Sequence, residues 1–169
     1  MNAISILWIV KNSPLLESSQ IGVYLKLEET FTRIEVINMT IETILKSYKT
    51  IAVVGLSADP GRASNRVASY MQSAGYRIVP VRPDGDEILG EKVYHSLGEI
   101  PFPVEIVDVF RKSETVVPVA QEAINIGAKV FWLQEGITNE EAETLCREAG
   151  LEVVSDRCML KEHRKVVRS

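Results

Sequence analysis

From Thr50 onward the chain alternates between short unbroken apolar runs and longer stretches whose apolar residues recur every three or four positions. The runs are TIAVVG, YRIVPV, VEIVDVF, AKVFWLQ and LEVVSD. Between them lie SNRVASYMQSAG, a short KVYHSLGEI, SETVVPVAQEAINIG and TNEEAETLCREAG. Unbroken β-branched runs predict strands buried on both faces, and the longer period predicts amphipathic helices. Gly75, Gly127 and Gly150 stand where three helices should stop. Asn139 followed by Glu140 and Glu141 predicts a capped, acidic helix start. Pro118 falls early in its helix, where a missing N–H does least harm. Strand and helix alternating at this spacing predict an α/β fold that is doubly wound and Rossmann-like. It has a five-stranded parallel sheet with helices on both faces.

The first 38 residues do not share this pattern. ISILWIV is short and meets Lys11 at once, and PLLESSQIG is mostly polar. Met39 then opens TIETILKSYK, a short amphipathic helix leading into the first strand. The expected organisation is an N-terminal extension over 1–38, a domain over 39–160 and a basic, solvated tail over 161–169. An ordered arm and a disordered tail are alternatives for the extension; the favoured reading is an artefact of start-site choice, with the native chain beginning at Met39.

Composition narrows the class of partner. A net charge of -4 in 169 residues argues against a general nucleic-acid or acidic-membrane binder, which would need a basic surface. No apolar run is long enough to cross a bilayer, and no basic flank precedes ISILWIV, so neither a membrane span nor a signal peptide is expected. The two cysteines form neither a disulfide framework nor a zinc spacing, as expected of a cytoplasmic protein. Monomer and homodimer are both open.

Candidate chemistry concentrates at GLSADPGRASNR, between the first strand and its helix. In a doubly wound sheet, ligands sit beyond the carboxyl ends of the strands. Gly55 ends the strand, Pro60 and Gly61 turn the chain, and Ser64 or Asn65 is expected to cap the helix. A helix N-terminus disfavours cations, yet Arg62 and Arg66 flank this one. An anion held by the helix N–H groups would reverse that local cost. The alternative is a pair of solvated arginines, with Arg66 pairing to Asp59. The glycine spacing is not GxGxxG, because Ser57 stands at the middle glycine.

The second strand ends in VPVRPDG, placing Arg82 and Pro83 where NAD binders carry an acidic residue for the ribose hydroxyl. Arg82 instead suits a phosphorylated ribose. That disfavours NAD and leaves NADP or a 3′-phosphorylated adenosine such as that of coenzyme A.

Several ordered blocks between Lys49 and Cys158 carry a resemblance. They are IAVVGLSADPGRASNRVASYMQSAGYRIVPVRPDG, ILGEKVYHSLGEIP, VDVF, AINIGAKVFWLQEGI and EAGLEVVSDRC. Together they resemble the small stand-alone CoA-binding proteins, similar to the N-terminal CoA-binding domain of the succinyl-CoA synthetase α subunit and of ADP-forming acyl-CoA synthetases. The resemblance implies that Gly55, Leu56, Ser57, Ala58, Asp59 and Pro60 meet the CoA phosphates, with Arg62, Ser64, Asn65 and Arg66 beside them. It places Arg82 and Pro83 along the adenosine part, and Phe110 and Arg111 at a turn beside the cofactor. Leu133, Gln134, Glu135 and Gly136 match a stretch that runs along the pantetheine. Ser57-Ala58 replaces the Thr-Gly pair of the synthetases, so phosphate contacts differ in detail. The phosphorylated histidine of the synthetases lies in a second domain that has no counterpart here.

The expected function is non-catalytic binding of coenzyme A or a short acyl-CoA. The alternative is an NADP-dependent reductase or an accessory subunit of an acyl-CoA ligase, although no Tyr-x-x-x-Lys pair follows a strand end. No catalytic or metal role is expected of His95, placed at a short surface helix, or of His163 in the tail. Cys146, Phe131 and Trp132 read as core. Cys158, beside Arg157 at the end of the fifth strand, is either a buried structural cysteine or a thiol able to form a mixed disulfide with CoA.

Overall fold

The computed structural model describes residues 39–168, so the expectations for the first 38 residues lie outside the described residues. Helix α1 (Ile41–Ser47) is capped by the Thr40 side chain, which accepts from the Thr43 N–H. It leads to β1 (Thr50–Val54), α2 (Ala63–Ser73) and β2 (Arg77–Val81). A two-residue ladder, β3 (Glu87–Ile88) with β4 (Glu91–Lys92), follows, and then β5 (Ile106–Val109), α3 (Val116–Asn125) and β6 (Val130–Leu133). The chain closes with α4 (Glu140–Glu148), β7 (Glu152–Val154) and α5 (Met159–Arg168).

The five long strands pair in parallel in the order β2-β1-β5-β6-β7. Side chains alternate across a strand, and each face has its own core. Ile51 and Val53 of β1, Ile106 of β5, and Val130 and Trp132 of β6 pack beneath α1, α2 and α5. Ala52 and Val54, Val107 and Val109, and Phe131 and Leu133 pack beneath α3 and α4. Burying each larger side chain contributes roughly 1.5–3 kcal/mol relative to leaving it in water. The predicted parallel architecture is therefore present, with both faces covered. Pro118 is the third residue of α3, and Asn139 caps α4 by accepting from the Ala142 N–H at 2.9 Å.

Two stretches depart from expectation. KVYHSLGEI forms no α-helix. Tyr94 bridges in parallel to Val81 at the sheet edge, and only Leu97–Glu99 coils, as a single 3-10 turn. The Tyr94 N–H and carbonyl extend the β2 ladder by pairing with Pro80 and Arg82, which holds the segment extended, and Glu99 accepts the His95 N–H at 3.0 Å. The basic tail is likewise not a solvated strand of chain: it is α5, packed against α1 and α2 through Met159, Leu160 and Val166. Within 161–168 only Glu162, His163 and Val166 are half-buried and the other side chains are exposed, while Met159 and Leu160 just before it supply most of the apolar face. Among the described residues, no helix is long and apolar enough to cross a membrane.

Candidate ligand-binding site

The strand order reverses between β1 and β5, which makes the crevice at their carboxyl ends the place for a ligand in this architecture. Gly55 continues the ladder there, donating to the Val81 carbonyl, while Phe110 donates to that of Val54, both at 2.9 Å. Gly55 has φ of +88°, and a Cβ on it would lie 2.6 Å from the Phe110 carbonyl oxygen. Leu56 then drops into the core beneath α2 and anchors the loop.

The loop beyond is bonded to itself. The Ser57 N–H donates to Ser64 Oγ at 3.1 Å, and Asn65 Nδ2 donates to the Ser57 carbonyl at 2.8 Å. Ser57 Oγ accepts from the Asp59 N–H, and Asp59 Oδ1 from the Gly61 N–H. Ser64 and Asn65, expected as caps, therefore do not cap α2: both are buried in its first turn and tie the loop down from below. The N-cap is Arg62, which makes no side-chain cap bond, and the first turn holds no acidic residue. Helices α1 and α4, by contrast, have both a capping side chain and a first-turn carboxylate. The first-turn N–H groups of α2 are left for some other acceptor.

A cavity of about 320 Å³ opens beside this turn. Gly55, Leu56, Ser57, Arg82, Pro83, Phe110 and Arg111 all line it, so residues drawn from three strand ends meet here. Asp84, not singled out from sequence, lines it too and holds Arg82 through Nε and Nη2, at 2.8 and 2.7 Å. Arg111 is exposed and belongs to none of the ion pairs among the described residues.

A second cavity, about 440 Å³, shares Arg82, Pro83 and Arg111 with the first. Val54, Val81 and Leu97 give it an apolar floor, and His95, Glu114 and Glu122 stand on its wall. Sequence reasoning missed this chamber because its wall comes from the segment taken for a helix and from the start of α3. Glu122 is already occupied by the Leu97 N–H at 3.0 Å, and His95 Nδ1 lies 3.2 Å from the Arg82 carbonyl. No cluster suited to a metal ion occurs among the described residues.

The other candidates sit apart from both cavities. Ala58, Asp59 and Arg62 are exposed on the outer loop, with Arg62 Nε 4.0 Å from Asp59 Oδ2. Pro60, Asn65 and Arg66 face a different hollow, against α5, and Arg66 donates to the Gly61 carbonyl instead of pairing with Asp59. Leu133 is core, and Gln134 turns inward to donate to Asp108 Oδ1 at 2.7 Å. Glu135 pairs with Lys161, and the Gly136 N–H donates to Asp156 Oδ1. Cys158 is half-buried against the α2-side core and lines neither cavity. Burial pushes the Cys146 thiol up to about 11, as suits an inert core residue.

A five-stranded parallel sheet with helices on both faces and a glycine-tight turn at its switch point defines the Rossmann-like class of α/β protein. The particular family follows from comparison. Residues 49–164 match the model described as CoA binding domain, and the chain belongs to that family. It is 49% identical over 123 residues to the YneT protein of Bacillus subtilis (strain 168), covering 73% of this chain and 91% of that one. A hypothetical protein from Pyrococcus horikoshii OT3 shares the fold at TM-score 0.74 and 41% identity, over 78% of this chain and 95% of that chain. The apo form of a dinucleotide-forming acetyl-coenzyme A synthetase 1 from Ca. Korarchaeum cryptofilum aligns at TM-score 0.56 and 25% identity. That alignment covers 64% of this chain and 26% of the synthetase.

Proposed function

We propose that this protein binds coenzyme A or a short acyl-CoA at the carboxyl ends of β1, β2 and β5, and does so without performing chemistry on it. The observation that carries the reading is the pair Arg82 and Arg111, which line both adjoining cavities at the switch point. Guanidinium forks match phosphate oxygens. The pyrophosphate belongs against Gly55 and Ser57, where the missing Cβ lets the backbone come close and the uncapped α2 start supplies positive potential. The larger chamber, floored by Val54, Val81 and Leu97, suits an apolar or aromatic part of the same ligand. Arg62 contributes potential from the exposed loop. Arg62 lines neither cavity, which leaves direct contact to Arg82 and Arg111.

The non-catalytic part rests on the walls of the chamber. Glu122 is committed to a backbone N–H and the His95 ring leans on a carbonyl, so neither is paired with a nucleophile. A carrier, store or sensor of CoA fits such a site, and a cytoplasmic setting is where CoA would be met.

Thermal unfolding with CoA, acetyl-CoA, dephospho-CoA, NADP and NAD tests the reading. At a hundred times its dissociation constant, a ligand stabilises by roughly 2.7 kcal/mol, which is several degrees in a domain of this size. CoA and acetyl-CoA should give that rise and NAD should not. A response to NADP with none to CoA would sink the proposal in favour of a reductase.

A further inference from the structure

A third hollow, about 610 Å³, lies on the far side of α2, between that helix and α5. Arg66, Ser69, Tyr70 and Ser73 of α2 face it at helical spacing, and Leu160 and Arg164 of α5 form the opposite wall. The lining carries two guanidinium groups and no carboxylate. Neither Arg66 nor Arg164 belongs to an ion pair among the described residues, although the chain as a whole is acidic.

Both cations are also held in place. Arg66 Nη1 donates to the Gly61 carbonyl, which leaves its other N–H groups free to face the hollow. The Arg164 guanidinium sits over the Tyr70 ring, 5.0 Å from its centroid. Tyr70 is fixed in turn by His163, whose Nδ1 is 3.0 Å from the phenol oxygen. Unpaired like charges facing one cavity repel each other, and a dianion between them turns that repulsion into attraction. Oriented guanidinium forks with a nearby serine hydroxyl make a donor set suited to tetrahedral oxyanions.

We propose that the α2–α5 hollow is a second anion site, taking the phosphate dianion of a phosphorylated metabolite between Arg66 and Arg164. The site goes beyond the CoA reading and does not depend on it, because it shares no lining residue with the cavities at the strand ends. The phosphate could arrive as a separate compound or as the 3′-phosphate of a CoA molecule.

The test is amide and arginine Nε chemical-shift mapping on the intact protein with inorganic phosphate, against sodium chloride at matched ionic strength, and then with CoA and dephospho-CoA. Saturable phosphate shifts at Ser69, Ser73 and Arg164 are expected, weakened roughly tenfold or more by either Arg66→Gln or Arg164→Gln. Both substituted side chains are exposed, and the ligand-free unfolding temperature with the amide spectrum away from the hollow reports whether each variant has kept its fold. If phosphate still moves these signals with CoA saturating, the source is a separate compound. If CoA moves them, dephospho-CoA does not, and CoA blocks phosphate, the source is the 3′-phosphate. Equal shifts with chloride, no shifts with phosphate or CoA, or phosphate shifts that survive both substitutions overturn the site. A failure of CoA to bind anywhere leaves the phosphate titration intact, so the two readings fail separately.

Discussion

The Gly55 α-carbon faces the Phe110 carbonyl so closely that a methyl group there would stand 2.6 Å from the oxygen. Two neighbouring strand ends are thereby locked into one floor for the ligand. Replacing Gly55 with Ala introduces that contact at a φ of +88°, outside the range side chains readily adopt. The left-handed conformation alone costs about 1–2 kcal/mol, and separating the two strand ends adds to it. Gly55→Ala should lower the urea midpoint and reduce the CoA-induced thermal shift together. A variant with parent-like stability would mean that the turn relaxes freely.

Arg111 and Arg82 should behave alike in binding and differently in the free protein. Charge-assisted hydrogen bonds contribute about 1.5–3 kcal/mol, so Ala at either position should weaken CoA roughly tenfold or more by calorimetry. Arg111 is exposed and its loss should leave stability within about 0.5 kcal/mol. Arg82 gives up its pair with Asp84, whose side chain is 74% exposed, and such a pair contributes at most about 1 kcal/mol. Asp84→Asn frees Arg82 from its carboxylate and should tighten CoA modestly. Weaker binding in that variant would show that Asp84 serves to aim the guanidinium.

The layered sheet was legible because its signals are local: β-branched runs, glycine stops and an Asn139 cap each act within a few residues. The floor of the crevice was legible too, since Gly55, Arg82 and Arg111 follow strands that any parallel sheet brings side by side. What escaped reading depends on side-chain direction. Gln134 lies in the stretch matched to a pantetheine-binding segment, yet the buried carboxylate of Asp108 on the neighbouring strand turns it inward. Ser64 and Asn65 had the chemistry of caps, but a helix starting at Ala63 places them inside the first turn. The helix that runs through the tail escaped reading because the partners of its apolar face, α1 and α2, are remote in sequence.

His163 makes the docking of α5 sensitive to acid. Its ring stands edge-on to Tyr70 and Tyr76, with centroids at 5.6 and 5.4 Å. Burial, with a smaller contribution from the Lys49 charge, holds its pKa below the usual 6.5. A depressed histidine disfavours the charged form in the folded state. The stabilisation is therefore whole above that ordinary value and fades as pH falls through it toward the folded one. Hydrogen exchange of α5 amides should accelerate from about pH 7 to about pH 5, after correction for intrinsic rates, while α3 amides do not follow. Tyr70→Phe should loosen α5 at neutral pH by deleting the bond to Nδ1.

Asp108 predicts the opposite slope. It lies on β5 between Val53 and Trp132 in register, almost wholly buried, and its carboxyl is bound by Gln134. Burial pushes it from 3.8 up to about 7, opposed in part by the hydrogen bonds from Gln134 and the Val109 backbone. Because the folded value is the higher one, the fold favours the protonated form. That advantage is complete below 3.8 and drains away as pH rises toward 7, beyond which a buried carboxylate is carried at full cost. Asp108→Asn keeps an oxygen for Gln134 to donate to and removes the charge. Absolute stability of the variant also includes the fit of the new amide, so the change with pH is the informative quantity. Between about pH 4 and about pH 8 the variant should gain on its parent by as much as about 4 kcal/mol in urea unfolding. A gap that stays constant over that range would mean that Asp108 titrates alike in the folded and unfolded states. Its bond to Gln134, and through Gln134 Oε1 to the Met159 N–H at 3.4 Å, would then be held at neutral pH by a carboxylate at the base of α5.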